Sequence, residues 1–190
     1  MVATKSMRAA ELLALGDDAR MELIEGEPIP MSPTGNLHMF VVSELTLLLG
    51  IHSLRVQETD DAFKVLGHEG GFLLRSDPDT VLAPDIAILT RDQLRVVNRT
   101  SNDFCPVPPA LAIEVKSPSD READIARKLA VYLEAGVREV WWIRPLAGQM
   151  TVHRPDRAPE LYGSDETFAS SDVLPGFLLR IGDLLSDSST

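Results

Sequence analysis

Cysteine is almost absent from this chain: Cys105 is the only one in 190 residues. A single thiol excludes an internal disulfide framework and any zinc module built on cysteine, and it suits a reducing compartment. The first residues lack the basic, apolar and small-residue succession of a secretory signal. No run reads as the ~20 apolar residues a membrane span requires. The expectation is a cytoplasmic protein with no membrane partner.

Positive charge is scarce as well. Eighteen Lys and Arg against 29 Asp and Glu leave a net charge of -11. Nucleic-acid binders normally carry a basic footprint, because phosphate contacts dominate their affinity. Here such binding needs a local patch or a bound cation. Arg91, Arg95 and Arg99 are spaced like one helical face, and Arg121, Arg127 and Lys128 cluster further on. A solvated surface is the simpler reading of each set.

What is present is ordinary for a folded domain: 44% hydrophobic and 25% charged residues. The length suits one domain over 1–190, with its core roughly at 20–155. Met7–Leu15 has helical composition and stops at Gly16. Two extended runs flank Glu25-Gly26, a tight hairpin signal. Glu22 alternates with Ile24 and, read alone, is expected to face solvent. Ser32-Pro33-Thr34 predicts a helix to about Leu49, closed by Gly50, with Leu37, Val41, Leu45 and Leu48 inward. A lone helical histidine such as His38 is more often structural than a ligand. Leu54–Gln57, Ala62–Leu66 and Phe72–Arg75 read as short strands.

The next strand, Val81–Leu89, carries one charge, Asp85, after Pro84. Proline cannot donate to a ladder, so an edge, a bulge or a break is expected there. A short helix over Arg91–Val97 and a loop over Asn98–Pro109 follow. Leu111–Val115 is a strand in which Leu111, Ile113 and Val115 share one face and Ala112, Glu114 and Lys116 the other. Ser119 with Glu122 reads as a capping box for a helix to Ala135, with Gly136 as its stop. Ile125, Leu129, Tyr132 and Leu133 form its inward stripe, with Lys128 one turn from Tyr132. Glu139–Ile143 is apolar on both faces, as an interior strand should be. This makes a βαβ unit, extended by outer strands from Gln149 onward. The Ser/Asp-rich end is expected to fray.

Asp85 and Glu114 would converge if their strands pair. Two carboxylates plus waters suit Mg²⁺ or Mn²⁺, and a lysine nearby can orient a water for phosphodiester hydrolysis. The plainer alternative makes Glu114 and Lys116 a structural ion pair and Asp85 an acceptor of backbone N–H groups. The protein would then be a catalytically silent binding domain. A metal phosphoesterase on a small substrate is a third reading, and it fits the acidic surface.

Pro84-Asp85, 28 residues, then Glu114-Val115-Lys116 resembles the PD-(D/E)XK pattern of restriction-endonuclease-like nucleases. The flanking text is more specific: Met21–Glu27, Met31-Ser32-Pro33, His38, Ser117-Pro118-Ser119, Lys128, Tyr132 and Gly136–Ile143. Together these resemble the Uma-two family of bacterial proteins over roughly residues 10–180. That resemblance implies a mixed α/β fold with an αβββαβ core, an N-terminal helix and hairpin, and extra C-terminal strands. It implies Mg²⁺-dependent cleavage of DNA by an endonuclease. Asp85 and Glu114 would bind metal with the carbonyl of Val115 as a further ligand, Lys116 would position water, and Glu22 would be an auxiliary carboxylate. Relatives often carry an apolar residue in place of Lys116, so this chain keeps the fuller pattern. A homodimer is expected, since two related sites cut a duplex most simply.

Overall fold

The computed structural model describes residues 6–16, 20–67 and 70–185. Helix α1 (Ala9–Ala14) is two residues shorter at its N-terminal end and one at its C-terminal end than its composition suggests, and Gly16 follows at φ +72°. Strands β1 (Met21–Ile24) and β2 (Glu27–Pro30) form the expected hairpin. Its two turn residues, Glu25 and Gly26, both take positive φ (56° and 76°), as a two-residue turn of the twist-matched type requires. A side chain at Gly26 would also collide with Ser6.

Helix α2 (Asn36–Val56) departs from expectation at both ends. It starts after Gly35 rather than at Ser32 or Thr34, and it runs through Gly50 to absorb most of Leu54–Gln57, which the sequence suggests as a strand. An interior glycine costs a helix only about 1 kcal/mol, and the inward series Val41, Leu45, Leu49, His52 continues unbroken past it. Leu37, expected inward, is exposed. This helix is long and apolar enough, by length and composition, to cross a membrane, contrary to the sequence reading.

Strands β3 (Phe63–Gly67), β4 (Phe72–Arg75), β5 (Thr80–Leu82) and β6 (Ile86–Thr90) follow. The apolar run expected as one strand is thus split at Ala83-Pro84-Asp85, the break that Pro84 allows for. Its halves enter different sheets. β5 lies in a four-stranded sheet ordered β2-β1-β5-β4, and β6 in the larger one. Helix α3 (Arg91–Val96) is short, with Thr90 and Gln93 exchanging cap hydrogen bonds.

Strand β7 (Leu111–Val115), helix α4 (Glu122–Glu134) and strand β8 (Glu139–Arg144) form the βαβ unit, β7 and β8 running parallel in register. The Ser119–Glu122 capping box does not form. The helix starts one residue after Arg121, and Asp120 instead accepts the Ser117 N–H at 2.7 Å in the preceding turn. Strands β9 (Gln149–His153), β10 (Glu160–Gly163), β11 (Thr167–Phe168) and β12 (Leu179–Arg180) complete the chain. The large sheet is ordered β10-β9-β8-β7-β6-β3, antiparallel except at β7/β8. The Ser/Asp-rich segment 186–190 lies outside the described residues.

Strand alternation decides which side chains meet which helix. Leu111, Ile113, Val115, Trp141 and Ile143 join Val41, Leu45 and Leu49 of α2 in one buried cluster. Ala112, Val140 and Trp142 join Ile125 and Tyr132 of α4 in another. Glu114, between Ile113 and Val115, therefore points toward α4.

The C-terminal segment is pinned by a buried pair. Glu139 and Arg154 are 0% and 4% exposed and meet at 2.8 Å. Glu139 also accepts from Trp141 Nε1 (2.6 Å), Ser171 Oγ (2.9 Å) and the Asp172 N–H (3.0 Å). Without Glu139, Arg154 keeps Glu160 at 2.6 Å, but Trp141 Nε1, Ser171 Oγ and the Asp172 N–H lose their acceptor, which at about 1 kcal/mol or more per stranded donor costs at least about 3 kcal/mol. Glu139→Ala is expected to lose that much in urea unfolding, whereas Arg95→Ala, removing an exposed pair with Asp92, should lose under about 1 kcal/mol.

Candidate active site

The site assembles where β6 begins and β7 ends. Ile86 pairs with Ile113 across the antiparallel β6/β7 ladder, so Asp85 stands one step before that pairing and opposite Glu114. Because β5 and β6 diverge at Pro84, Asp85 is free of the ladder, and its side chain turns to groups around it. Its Oδ2 accepts the Val115 N–H at 2.8 Å and lies 3.1 Å from His38 Nε2. The acceptance of a backbone N–H is what the binding-domain reading expects of Asp85. The histidine comes from the first turn of α2, and its inward position follows from the same stripe that buries Val41 and Leu45. Burial alone would lower the His38 pKa, but the hydrogen bond and charge of Asp85 outweigh it, and the net shift is upward.

Glu114 is buried under α4. Its Oε1 accepts from the Tyr132 hydroxyl at 2.6 Å and from Lys128 Nζ at 3.2 Å. Lys128 also contacts Glu22 Oε1 at 3.0 Å, and that oxygen accepts the Ala83 N–H at 3.0 Å. Glu22 is 3% exposed, so its expected solvent-facing position is wrong. Strand β1 pairs with β5 at Leu23 and Val81, which carries Glu22 inward, to the chain segment just before Asp85. Lys128 thereby bridges two carboxylates from different sheets.

One ammonium does not balance the carboxylates around it. Burial pushes the Glu114 carboxyl up to about 7. Lys128 and the Tyr132 hydroxyl oppose that rise, while the charges of Asp85 and Glu22 add to it. Lys128 is pulled the other way from its burial and held more firmly protonated by Glu114 and Glu22. Burial and the adjacent Glu114 raise the Tyr132 hydroxyl well above its ordinary value, so it remains a donor.

Lys116 sits apart from this cluster. Strand β7 ends at Val115, and the Lys116 ammonium binds Glu122, the first residue of α4. Glu122 is also held by both terminal nitrogens of Arg144, at 2.7 and 2.8 Å. These two cations hold the Glu122 carboxyl down to about 2, Arg144 first. The ion pair suggested between Glu114 and Lys116 is therefore replaced by two separate pairs, Glu114–Lys128 and Glu122–Lys116.

The structure brings together Asp85, Glu114 and Glu22, and it adds His38, Lys128 and Tyr132, which sequence reading leaves without roles. The only local signal is the one-turn spacing of Lys128 and Tyr132 on α4. Nothing in the α2 sequence shows that His38 faces a carboxylate. The basic patches are largely spent on this chain's own acids and carbonyls: Arg91 on Asp60 and the Gln57 carbonyl, Arg95 on Asp92, Arg121 on Asp124, Arg127 on Glu27.

Whether a divalent cation fits can be judged from the oxygens left over. Among the described residues, no three His, Cys, Asp or Glu side chains group closely enough to hold a metal by themselves. Mg²⁺ needs less: one or two carboxylates, with water and substrate oxygens for the rest. Asp85 Oδ1 and Glu114 Oε2 accept no hydrogen bond among the described residues, since the bonds of both side chains fall on Oδ2 and Oε1. The only buried side-chain polar atom without a partner there is Trp142 Nε1, so these two oxygens keep contact with solvent. The donor set fits Mg²⁺ or Mn²⁺.

The fold class is that of restriction-endonuclease-like nucleases. A crystal structure of a putative nuclease from Anabaena variabilis superposes with a TM-score of 0.76 and 20% identity, covering 94% of this chain and 97% of that one. The family described as putative restriction endonuclease, Uma-two, matches residues 9–182, and this chain belongs to it. Family membership supports a nuclease. No curated protein matches the chain.

The raised Glu114 carboxyl gives a stability signature. Its folded pKa of about 7 lies above its ordinary 4.5, so the folded chain holds that proton more tightly. The associated stabilisation is complete below about 4.5 and disappears as pH rises through about 7. Thermal melts of Glu114→Gln and wild type should therefore diverge across that range, the variant gaining relative to wild type as pH increases. A constant difference in melting temperature from pH 4.5 to 7 would contradict the assignment.

Proposed function

We propose that the chain is a divalent-metal-dependent nuclease that hydrolyses phosphodiester bonds of DNA at the Asp85–Glu114 site. One observation carries this reading. At adjoining strand ends, each of these two carboxylates has one oxygen clamped by protein donors and one left open. That arrangement orients a ligand pair without consuming it.

Asp85 and Glu114, with the carbonyl of Val115, would hold Mg²⁺ or Mn²⁺. When bound, the cation would lower the pKa of a water and neutralise charge on the scissile phosphate. The protein's own groups do the rest. His38 and the Val115 N–H fix the Asp85 carboxylate in one rotamer. Tyr132 does the same for Glu114, donating from a hydroxyl too weakly acidic to ionise. Lys128 keeps Glu114 and Glu22 compatible within one buried space, and it is the ammonium that reaches both of those carboxylates. The family pattern gives water positioning to Lys116, which is tied to Glu122 at the head of α4. We assign the charge-balancing role in the site to Lys128 and leave to Lys116 the ordering of the β7–α4 corner. The acidic chain has few unspent arginines, so attraction of the substrate phosphate rests on the site itself.

The silent binding-domain reading draws on the Asp85–Val115 N–H hydrogen bond, and the same experiment separates the two. With Mg²⁺ or Mn²⁺, wild type should nick supercoiled plasmid, and Asp85→Asn or Glu114→Gln should reduce the rate at least about a hundredfold. His38→Ala should cost about ten- to a hundredfold, as loss of a ligand-orienting partner does. DNA retention without nicking under any divalent cation would favour the binding domain.

Lys128→Met is expected to abolish nicking while Lys116→Met slows it only modestly. The reverse order would return the water-positioning role to Lys116.

A further inference from the structure

One surface of the fold takes no part in the site. Helix α2 is apolar on two sides. His38, Val41, Leu45, Leu49 and His52 turn inward, while Leu37, Phe40, Leu47, Ile51 and Leu54 are 40–68% exposed. With Glu44, the outer set recurs at alternating steps of three and four: 37, 40, 44, 47, 51, 54. That 3.5-residue period is the seam a helix uses to pack lengthwise against another helix. Burial within this protein does not explain it, because the seam lies outside the core. Ser43 and Gly50 border it, each one turn before an exposed leucine, so a partner helix can approach closely.

An exposed apolar patch of several hundred Å² on a soluble chain marks an interaction surface, and these five side chains expose roughly 500 Å². Helices joined with Glu44 facing Arg55 overlap from about Ser43 to Val56, so Leu47, Ile51 and Leu54 of the two copies bury roughly 600 Å² of apolar area, and the flanking polar residues bring the contact toward the roughly 1,000 Å² that a specific interface needs. The charges on this face point to the same occupant. Glu44 and Arg55 lie 11 residues apart, three helical turns, and so on one side of α2. Neither has an ion pair or hydrogen bond among the described residues.

We propose that this stripe docks a second copy of the chain, the two α2 helices lying antiparallel about a two-fold axis. Antiparallel packing brings Glu44 of each copy to Arg55 of the other, twice over. Leu47 and Ile51 of both copies then interlock at the centre. In-register parallel packing would set Glu44 against Glu44 and Arg55 against Arg55, a like-charge arrangement. The inference is independent of the nuclease reading, because none of these residues touches Asp85, Glu114 or Lys128.

Sedimentation equilibrium of the full chain at micromolar concentration tests it. Wild type should show the mass of two chains, and Leu47→Arg or Ile51→Arg the mass of one, with an unchanged circular dichroism spectrum and a melting temperature lowered only by the loss of association. Glu44→Arg and Arg55→Glu should each weaken association at least about tenfold, and the double variant should restore it. The restored dimer also guards against a fold defect in either single variant. A one-chain mass for wild type, or a dimer indifferent to Leu47→Arg, overturns the proposal. So does a monomeric wild type that floats with phosphatidylcholine vesicles, which would give the stripe to a bilayer surface. Failure of the double variant to recover overturns the antiparallel arrangement.

Discussion

The constraint on which this structure depends is the burial of more negative than positive charge at one point. Glu22 and Glu114 are almost fully enclosed, Asp85 is nearby, and Lys128 is the ammonium that reaches the first two. Burying an unpaired ion costs several kcal/mol, so the protein meets each carboxylate with the donors it can supply: an Ala83 N–H, a Val115 N–H, a tyrosine hydroxyl, an imidazole. The residual imbalance appears as a Glu114 carboxyl lifted to about 7. A fold optimised for stability alone would place an apolar residue there. Retaining the carboxylates is what a site that receives a cation requires.

The architecture serves that point. The parallel pair β7/β8 with its crossover helix sets Tyr132 and Lys128 over Glu114, because strand alternation sends Glu114 to the α4 side and its neighbours Ile113 and Val115 to the α2 side. The break at Pro84 releases Asp85 from its ladder. The separate hairpin sheet inserts Glu22 from a third direction, through the β1/β5 pairing. Helix α2 closes the arrangement by presenting His38. Four elements distant in sequence thus supply one cluster, and the buried Glu139–Arg154 network at the far end of the sheet holds the C-terminal strands independently of it.

Much of this was legible beforehand, for physical reasons. Lone charges in apolar strands, Asp85 and Glu114, announce themselves because desolvation makes them expensive. The hairpin at Glu25-Gly26, the break at Pro84 and the βαβ unit follow from backbone chemistry that acts locally. What stayed hidden was non-local. Glu22 looks solvent-facing until the β1/β5 pairing buries it. Lys116 looks like the partner of Glu114 by alternation, but the strand ends at Val115 and Glu122 captures its ammonium instead. His38 could not be distinguished from any helical histidine. Helix α2 is longer than its local signals suggest because its apolar series crosses Gly50 without interruption, and it differs in character because it is apolar on two faces.

The central claim is that Asp85 and Glu114 jointly hold a divalent cation. Crystals grown or soaked with Mn²⁺, measured at a wavelength where manganese scatters anomalously, test it without reference to substrate or turnover. One anomalous peak contacting Asp85 Oδ1 and Glu114 Oε2 is expected. An absent peak under saturating Mn²⁺, or one confined to other carboxylates, would contradict it.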